Sequence, residues 1–142
     1  MTYLADTNVV SVFTQTGRDA AVLQRLDAVP FLSVYVSILT LGELRFGIRR
    51  LPSGAKRDQL NAWLETSFIP SLADRVLLVD EAVCQTWADL RVAAGRTLPV
   101  TDSLIAATAI AHDMVLVTRN VRDFQGVPVR LWNPWDTPTP PS

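Results

Sequence analysis

The segment Tyr3–Val10, YLADTNVV, decides how the rest of the chain is read. Tyr3–Ala5 has the make-up of a short buried strand, and it runs straight into the carboxylate of Asp6 before a second apolar run begins. An aspartate at the mouth of a strand either caps the helix that follows or takes part in chemistry. If one strand ends there, similar apolar runs should recur, and Phe31–Val36, Arg75–Val79 and Val115–Thr118 predict three more strands. Between them, helical periodicity predicts Ile38–Leu51, Ala55–Ser67 ending before Pro70, Glu81–Ala94 stopped by Gly95, and Asp102–Asp113. Short, continuously apolar strands alternating with helices predict an α/β fold whose parallel sheet is covered on both faces.

The 142 residues suit one domain, 1–132, followed by a tail, 133–142, whose sequence NPWDTPTPPS holds four prolines and is expected to be extended, its last six residues disordered. Trp132 and Trp135 are expected to pin the start of that tail to the domain or to a partner chain. With 49% hydrophobic and 19% charged residues, the chain has the profile of a well-buried fold. Its single cysteine, Cys84, excludes an internal disulfide, reads as a buried thiol, and suits a reducing cytoplasm. No apolar stretch is long enough to span a membrane. A formal net charge of −1 argues against a large sequence-independent affinity for nucleic acid, yet Arg45, Arg49, Arg50, Lys56 and Arg57 form a local basic run that either faces a substrate or is a solvated helix face.

Ligands of open parallel sheets bind beyond the carboxyl ends of the strands. Asp6 ends the first strand, Glu43 lies in the second turn of the helix after the second, Asp102 opens a later helix, and Asn120 and Asp123 follow VLVT. Each has a quieter role open to it, as cap, helix-dipole partner or turn residue. Glu43 is the hardest to set aside. It stands roughly 100° from the stripe Leu41, Leu44, Ile48 and Leu51, and its neighbours Phe46 and Gly47 offer no cation, so it reads as a glutamate in a tight, partly apolar spot needing a distant partner. Asp102 shares a face with Ala106 and Ala109, small enough to let another backbone approach. Carboxylates gathered without cations raise one another's pKa, and a divalent ion resolves the conflict. Oxygen ligands favour magnesium or manganese over zinc.

Other chemistries are poorly supplied. His112 is the one histidine, roughly 15 Å along its helix from Asp102, which leaves no histidine pair, zinc cluster or serine triad. A phosphatase of the haloacid-dehalogenase type would need an acid two positions after Asp6, where Asn8 stands. There is no glycine-rich phosphate loop.

Four segments together, LADTNVVS with Asp6, GELRFGI with Glu43, TDSLIAATA with Asp102 and LVTRNVRDF with Asn120 and Asp123, followed by WNPW, resemble the PIN-domain nucleases, and among them the VapC-type toxins of the FitB-like subgroup. The resemblance spans almost the whole chain. It implies a three-layer α/β/α PIN-like fold around a central parallel sheet of about five strands, and a single nuclease domain over 1–132. It also implies an acidic pocket for one or two Mg2+ or Mn2+ ions, with Asp6, Glu43 and Asp102 as metal-binding catalytic carboxylates. The fourth position falls to Asp123, or else Asn120 offers a neutral oxygen. Thr7, Asn8, Thr118 and Asn120 are expected to support these ligands from behind.

The implied activity is that of a metal-dependent endoribonuclease, the toxin of a type II toxin–antitoxin module, cleaving transfer RNA or another structured RNA and so inhibiting translation. Arg45, Arg49 and Arg50 then become candidates for holding the RNA backbone. The implied partners are a second copy of the chain and a small VapB-like antitoxin, with operator DNA met only through that antitoxin. Phe46, Trp63 and Phe68 are candidates for antitoxin contact, or for the core. Two alternatives remain: a PIN nuclease of RNA processing, and a catalytically weak PIN fold that binds RNA or antitoxin.

Overall fold

A computed structural model describes residues 1–14 and 19–141. β1 (Tyr3–Ala5) leads through Asp6 into α1 (Thr7–Val10) and a 3-10 turn at Ser11–Thr14. Then come α2 (Ala20–Asp27), β2 (Val34–Ser37), α3 (Ile38–Arg49), α4 (Ala55–Trp63), a π turn at Leu64–Phe68, α5 (Ile69–Leu72), β3 (Val76–Leu77), α6 (Glu81–Ala94), α7 (Val100–Ala111), β4 (Val115–Val117), a 3-10 turn at Val121–Phe124 and β5 (Leu131–Trp132). The five strands lie in the order β3-β2-β1-β4-β5, all parallel.

Strand alternation divides the core into two halves. Tyr3 and Ala5, with Val115 and Val117, turn to one face and pack with Val9, Val10, Leu41, Leu44, Ile48, Leu64 and Phe68. Leu4 and Leu116 turn to the other and meet Val83, Leu90, Ile105, Ala106 and Ala109. Helices therefore cover both faces, giving the three-layer α/β/α arrangement. Local signals set the helix ends: Ser37 caps α3 by accepting from Leu39 N, Asp80 caps α6 by accepting from Val83 N, and Gly95, at φ 65°, ends α6 in the left-handed conformation.

Several sequence expectations need correction. Phe31–Ser33 is a 3-10 turn closed by Ser33 N donating to Pro30 O at 2.9 Å, with the Phe31 carbonyl taken by Arg75 at 2.7 Å; Arg75 also holds Val34 O, at the start of β2, at 2.6 Å. The third strand shortens to Val76–Leu77, and Arg75, expected in it, is buried as that clamp. β5, which only the resemblance implied, pairs with β4 through Leu116↔Leu131 and Val117↔Trp132. Cys84 is exposed, since it sits one residue past buried Val83 and so about 100° round the helix from the core stripe of Val83 and Leu90. The tail start is held: Arg25 donates to Pro134 O and Trp135 O, and Trp132 Nε1 donates to Thr137 O.

Candidate active site

From β1 the chain moves to β2 on one side, and from β4 it moves to β5 on the other, so the strand order reverses between β1 and β4. Such a switch point opens a crevice at the carboxyl ends of its two strands, because the connections leave in opposite directions. Asp6 follows β1 and Thr118 follows β4, and the two side chains meet across that crevice. Asp6 N donates to Val117 O at 2.9 Å, and Thr118 Oγ1 donates to Asp6 Oδ2 at 2.8 Å.

Asp6 is only 4% exposed and both its oxygens are engaged. Oδ1 accepts from Thr7 N at 2.8 Å, which is also the N-cap bond of α1, while Oδ2 accepts from Thr118 and, at 3.5 Å, from Asn8 Nδ2. Oδ1 thus fills the cap role, while Oδ2 is bound across the crevice by the residue that follows β4. Thr118 Oγ1 in turn accepts from Asn120 N at 3.1 Å, and Asn8 Oδ1 accepts from Arg119 N at 3.2 Å. A carboxylate has about four acceptor directions. Three donors, Thr7 N, Thr118 Oγ1 and Asn8 Nδ2, thus fix its plane and leave about one acceptor direction unused.

The other acids come from separate helices and turns. Glu43, on α3, is exposed and not in the tight apolar spot its sequence context suggested. Gly47 leaves open space on that helix, and the distant partner is the Thr7 hydroxyl, which donates to Glu43 Oε1 at 2.7 Å. Asp102 is half-buried in the first turn of α7, backed by buried Ala106 and Ala109, and no donor among the described residues reaches its carboxylate. Asp123 is exposed on the 3-10 turn after β4. The Asn120 side chain makes no hydrogen bond among the described residues, although its backbone N–H is tied to Thr118.

Electrostatics shows that these four acids share one region. Burial raises the Asp6 pKa; its bonds from Thr118 and Thr7 pull it back, and the charges of Glu43 and Asp123 push it up again. Asp102 is pushed from 3.8 to about 6, first by burial and then by Asp6, Asp123 and Glu43. No cation among the described residues pairs with them: the two ion pairs there, Arg45–Glu65 and Arg130–Asp113, lie outside the four acids. Among the described residues, no three acidic, histidine or cysteine side chains already stand in ligand geometry. The donor set is nevertheless all oxygen, held on a fixed carboxylate at Asp6 and on accessible ones at Glu43 and Asp123, and so it fits a hard divalent cation.

Arg45 is committed elsewhere. Its Nε and Nη2 grip both oxygens of Glu65 at 2.8 and 3.2 Å, which holds the Glu65 pKa below its ordinary value. Arg49 is exposed, and Arg50 lies over the Phe46 ring at 4.9 Å. Phe68 is buried and stacked on Trp63 at 5.0 Å, so both belong to the core, whereas Phe46 is 62% exposed.

A PIN domain model matches residues 3–129. The chain belongs to the PIN-domain family. Over 134 residues it is 37% identical to VapC ribonuclease Y4jK of Sinorhizobium fredii, covering 92% of this chain and 96% of that one. It is 36% identical to toxin FitB of Neisseria gonorrhoeae, covering 93% and 97%. The crystal structure of FitAcB from Neisseria gonorrhoeae superposes on this PIN domain with a TM-score of 0.89 at 36% identity, over 95% of this chain and 99% of that one. The PIN fold and its relationship to the VapC and FitB toxins thus stand as the motifs implied. The WNPW ending starts the tail not extended, as expected from residue 133, but in a turn at Asn133–Asp136 that folds back beside Asp123. Its signal was local: Asn133 before a proline, its Oδ1 accepting from Trp135 N at 3.0 Å and its Nδ2 donating to Asp136 Oδ2 at 3.1 Å.

Proposed function

We propose that this chain is a divalent-metal-dependent endoribonuclease, the toxin of a type II toxin–antitoxin module. The observation that carries the reading is the set of four carboxylates, Asp6, Glu43, Asp102 and Asp123, drawn from four segments to one sheet edge with no cation paired to them among the described residues. Relatives that bear the names ribonuclease and toxin support the same reading. In it, Asp6 and Asp102 hold the principal ion, Glu43 faces the open side, and Asp123 completes the set. Mg2+, or Mn2+ in its place, supplies when bound the positive charge that phosphodiester hydrolysis requires.

The chain's own residues do the rest. Thr7 N and Thr118 Oγ1 keep the Asp6 carboxylate in one orientation, and Thr7 Oγ1 ties Glu43 to the same turn, so that cap, ligand and water side move as one unit. A water attacks phosphorus and the bond from phosphorus to the 3′ oxygen breaks, with the proton passing to the leaving oxygen. The products are a 5′-phosphate and a 3′-hydroxyl. Arg49 and Arg50, both exposed at the end of α3, are the candidates in this reading for holding the flanking phosphates, whereas Arg45 serves chiefly to join α3 to the π turn.

The substrate we favour is an unpaired loop of structured RNA, transfer RNA first, because splayed bases and exposed backbone are accessible there. Cleavage would halt translation in the cytoplasm. The protein would act as a homodimer and be silenced by a small VapB-like antitoxin that alone contacts operator DNA. A groove of about 400 Å3 beside Glu43, lined by Phe46, Gly47, Arg50 and Trp63, suits an antitoxin segment. Partner-free protein incubated with transfer RNA in Mg2+, Mn2+ or EDTA tests the reading. Cleavage should require metal and vanish in Asp6→Asn and Asp102→Asn. Cleavage indifferent to EDTA, or retained by both variants, overturns it.

A further inference from the structure

Next to Asp123 lies a second hollow, of about 430 Å3, between the Val121–Phe124 turn and the refolded Asn133–Asp136 segment. Its walls are braced by bonds that the acidic crevice does not need. Arg96 donates to Asp123 O and Gln125 O at 3.2 and 2.8 Å. Asn133 Nδ2 donates to Arg119 O at 3.4 Å, and Arg25 holds Pro134 O at 2.6 Å. Trp135 packs with one side toward the core, and the Arg119 guanidinium lies over its ring at 5.1 Å. Arg119 and Arg122 are both exposed, and neither forms an ion pair or a side-chain hydrogen bond among the described residues.

We propose that this hollow binds one nucleotide of a single-stranded RNA beside the scissile phosphate, its base stacked on Arg119 over Trp135 and its phosphate paired with Arg122. The proposal rests on the nuclease reading of the neighbouring acids. An arginine plane backed by an aromatic ring is a stacking platform that accepts any base, and a second guanidinium within the same hollow supplies the phosphate contact. The volume falls within the ~300–1,000 Å3 of clefts that take small ligands. Asp136, the other acid there, already accepts from Asn133. Asp123 lines this hollow and is also one of the four acids, so a strand running from the hollow toward the others passes its backbone over the carboxylates.

The test uses the full chain in the Asp6→Asn background, in EDTA, with a fluorescein-labelled 10-nucleotide single-stranded RNA of mixed sequence and anisotropy as the readout. Arg119→Gln and Arg122→Gln should each weaken binding ~5- to 10-fold, and Arg122→Gln should reduce the salt slope by ~0.7. Arg119→Lys should weaken binding while preserving the salt slope, because it keeps the charge and loses the plane. Arg130→Gln, outside the hollow and paired with Asp113 ahead of β4, should bind as the parent does. Variants that bind RNA like the parent, or that lose affinity only for a co-expressed antitoxin, overturn the proposal alone. A parent that binds no RNA overturns the nuclease reading with it.

Discussion

Asp102 should make the metal-free protein less stable, and removing its charge should strengthen the fold while abolishing activity. Burial and the charges of Asp6, Asp123 and Glu43 move its pKa from 3.8 to about 6. The folded state therefore binds a proton more tightly than the unfolded chain, so this contribution to stability is full below about 3.8 and is lost as pH rises through about 6. For a fully shielded group the gap would amount to about 3 kcal/mol at ~1.4 kcal/mol per pH unit. Asp102 is half-buried, and solvent screening reduces this to about 1–2 kcal/mol. Asp6 acts in the same direction, since burial raises its pKa too. In EDTA, the melting temperature should fall between pH 4.5 and 7, and Asp102→Asn at pH 7 should raise it by ~3–8 °C, with little gain at pH 4.5. No donor among the described residues is lost by the substitution, so nothing local opposes the gain. Millimolar Mg2+ should restore the parent at pH 7 and do much less for the variant. The reasoning fails if Asp102→Asn melts below the parent at pH 7 in EDTA, or if the parent grows more stable from pH 4.5 to 7.

Thr118→Val removes the donor at 2.8 Å from a buried carboxylate oxygen and also strips Asn120 N of its acceptor. It should cost about 1–3 kcal/mol in chemical denaturation and lower RNA cleavage at least tenfold. Thr7→Val breaks the bond to Glu43 but keeps the backbone cap of α1, so cleavage should drop and require more Mg2+ while the melting temperature moves little; an unchanged Mg2+ dependence would remove Thr7 from the site. Arg45→Gln, which releases Glu65, should leave RNA affinity closer to the parent than Arg50→Gln does, measured by anisotropy at two salt concentrations. Zn2+ should not replace Mg2+ in supporting cleavage, since the four acids include no histidine or cysteine.

The parts of this fold that could be read from the sequence are those fixed by neighbours in the chain. α3 and α6 carry their own periodicity and their own caps, Ser37 and Asp80, and Gly95 stops α6 where its left-handed φ is needed. The parts that could not be read depend on distant partners. β5 is two residues long and exists because β4 offers it a ladder, which no property of Leu131 or Trp132 announces. Phe31–Ser33 looks like a strand, but it turns onto Pro30 O, and Arg75, more than forty positions later, takes the carbonyl of Phe31. Glu43 was singled out because it lacks a cation at helical spacing, and that observation held. Its surroundings were misjudged, because the partner that matters is Thr7, 36 residues earlier.

Asp6 shows why the opening segment can look like a capped turn and still sit at the centre of the site. Capping requires an oxygen aimed at Thr7 N, and that same aim turns the second oxygen toward Thr118 at the end of β4. The carboxylate is consequently held in one plane before any ligand arrives, and its burial keeps water from competing for it. Burial also makes the charge expensive, as the raised pKa records. A residue kept only as a cap would do as well as asparagine or serine at the surface, without three other acids nearby. The arrangement is understandable if the unfavourable charge is offset when a cation binds, which is the condition under which a half-buried Asp102 without a donor also becomes tolerable.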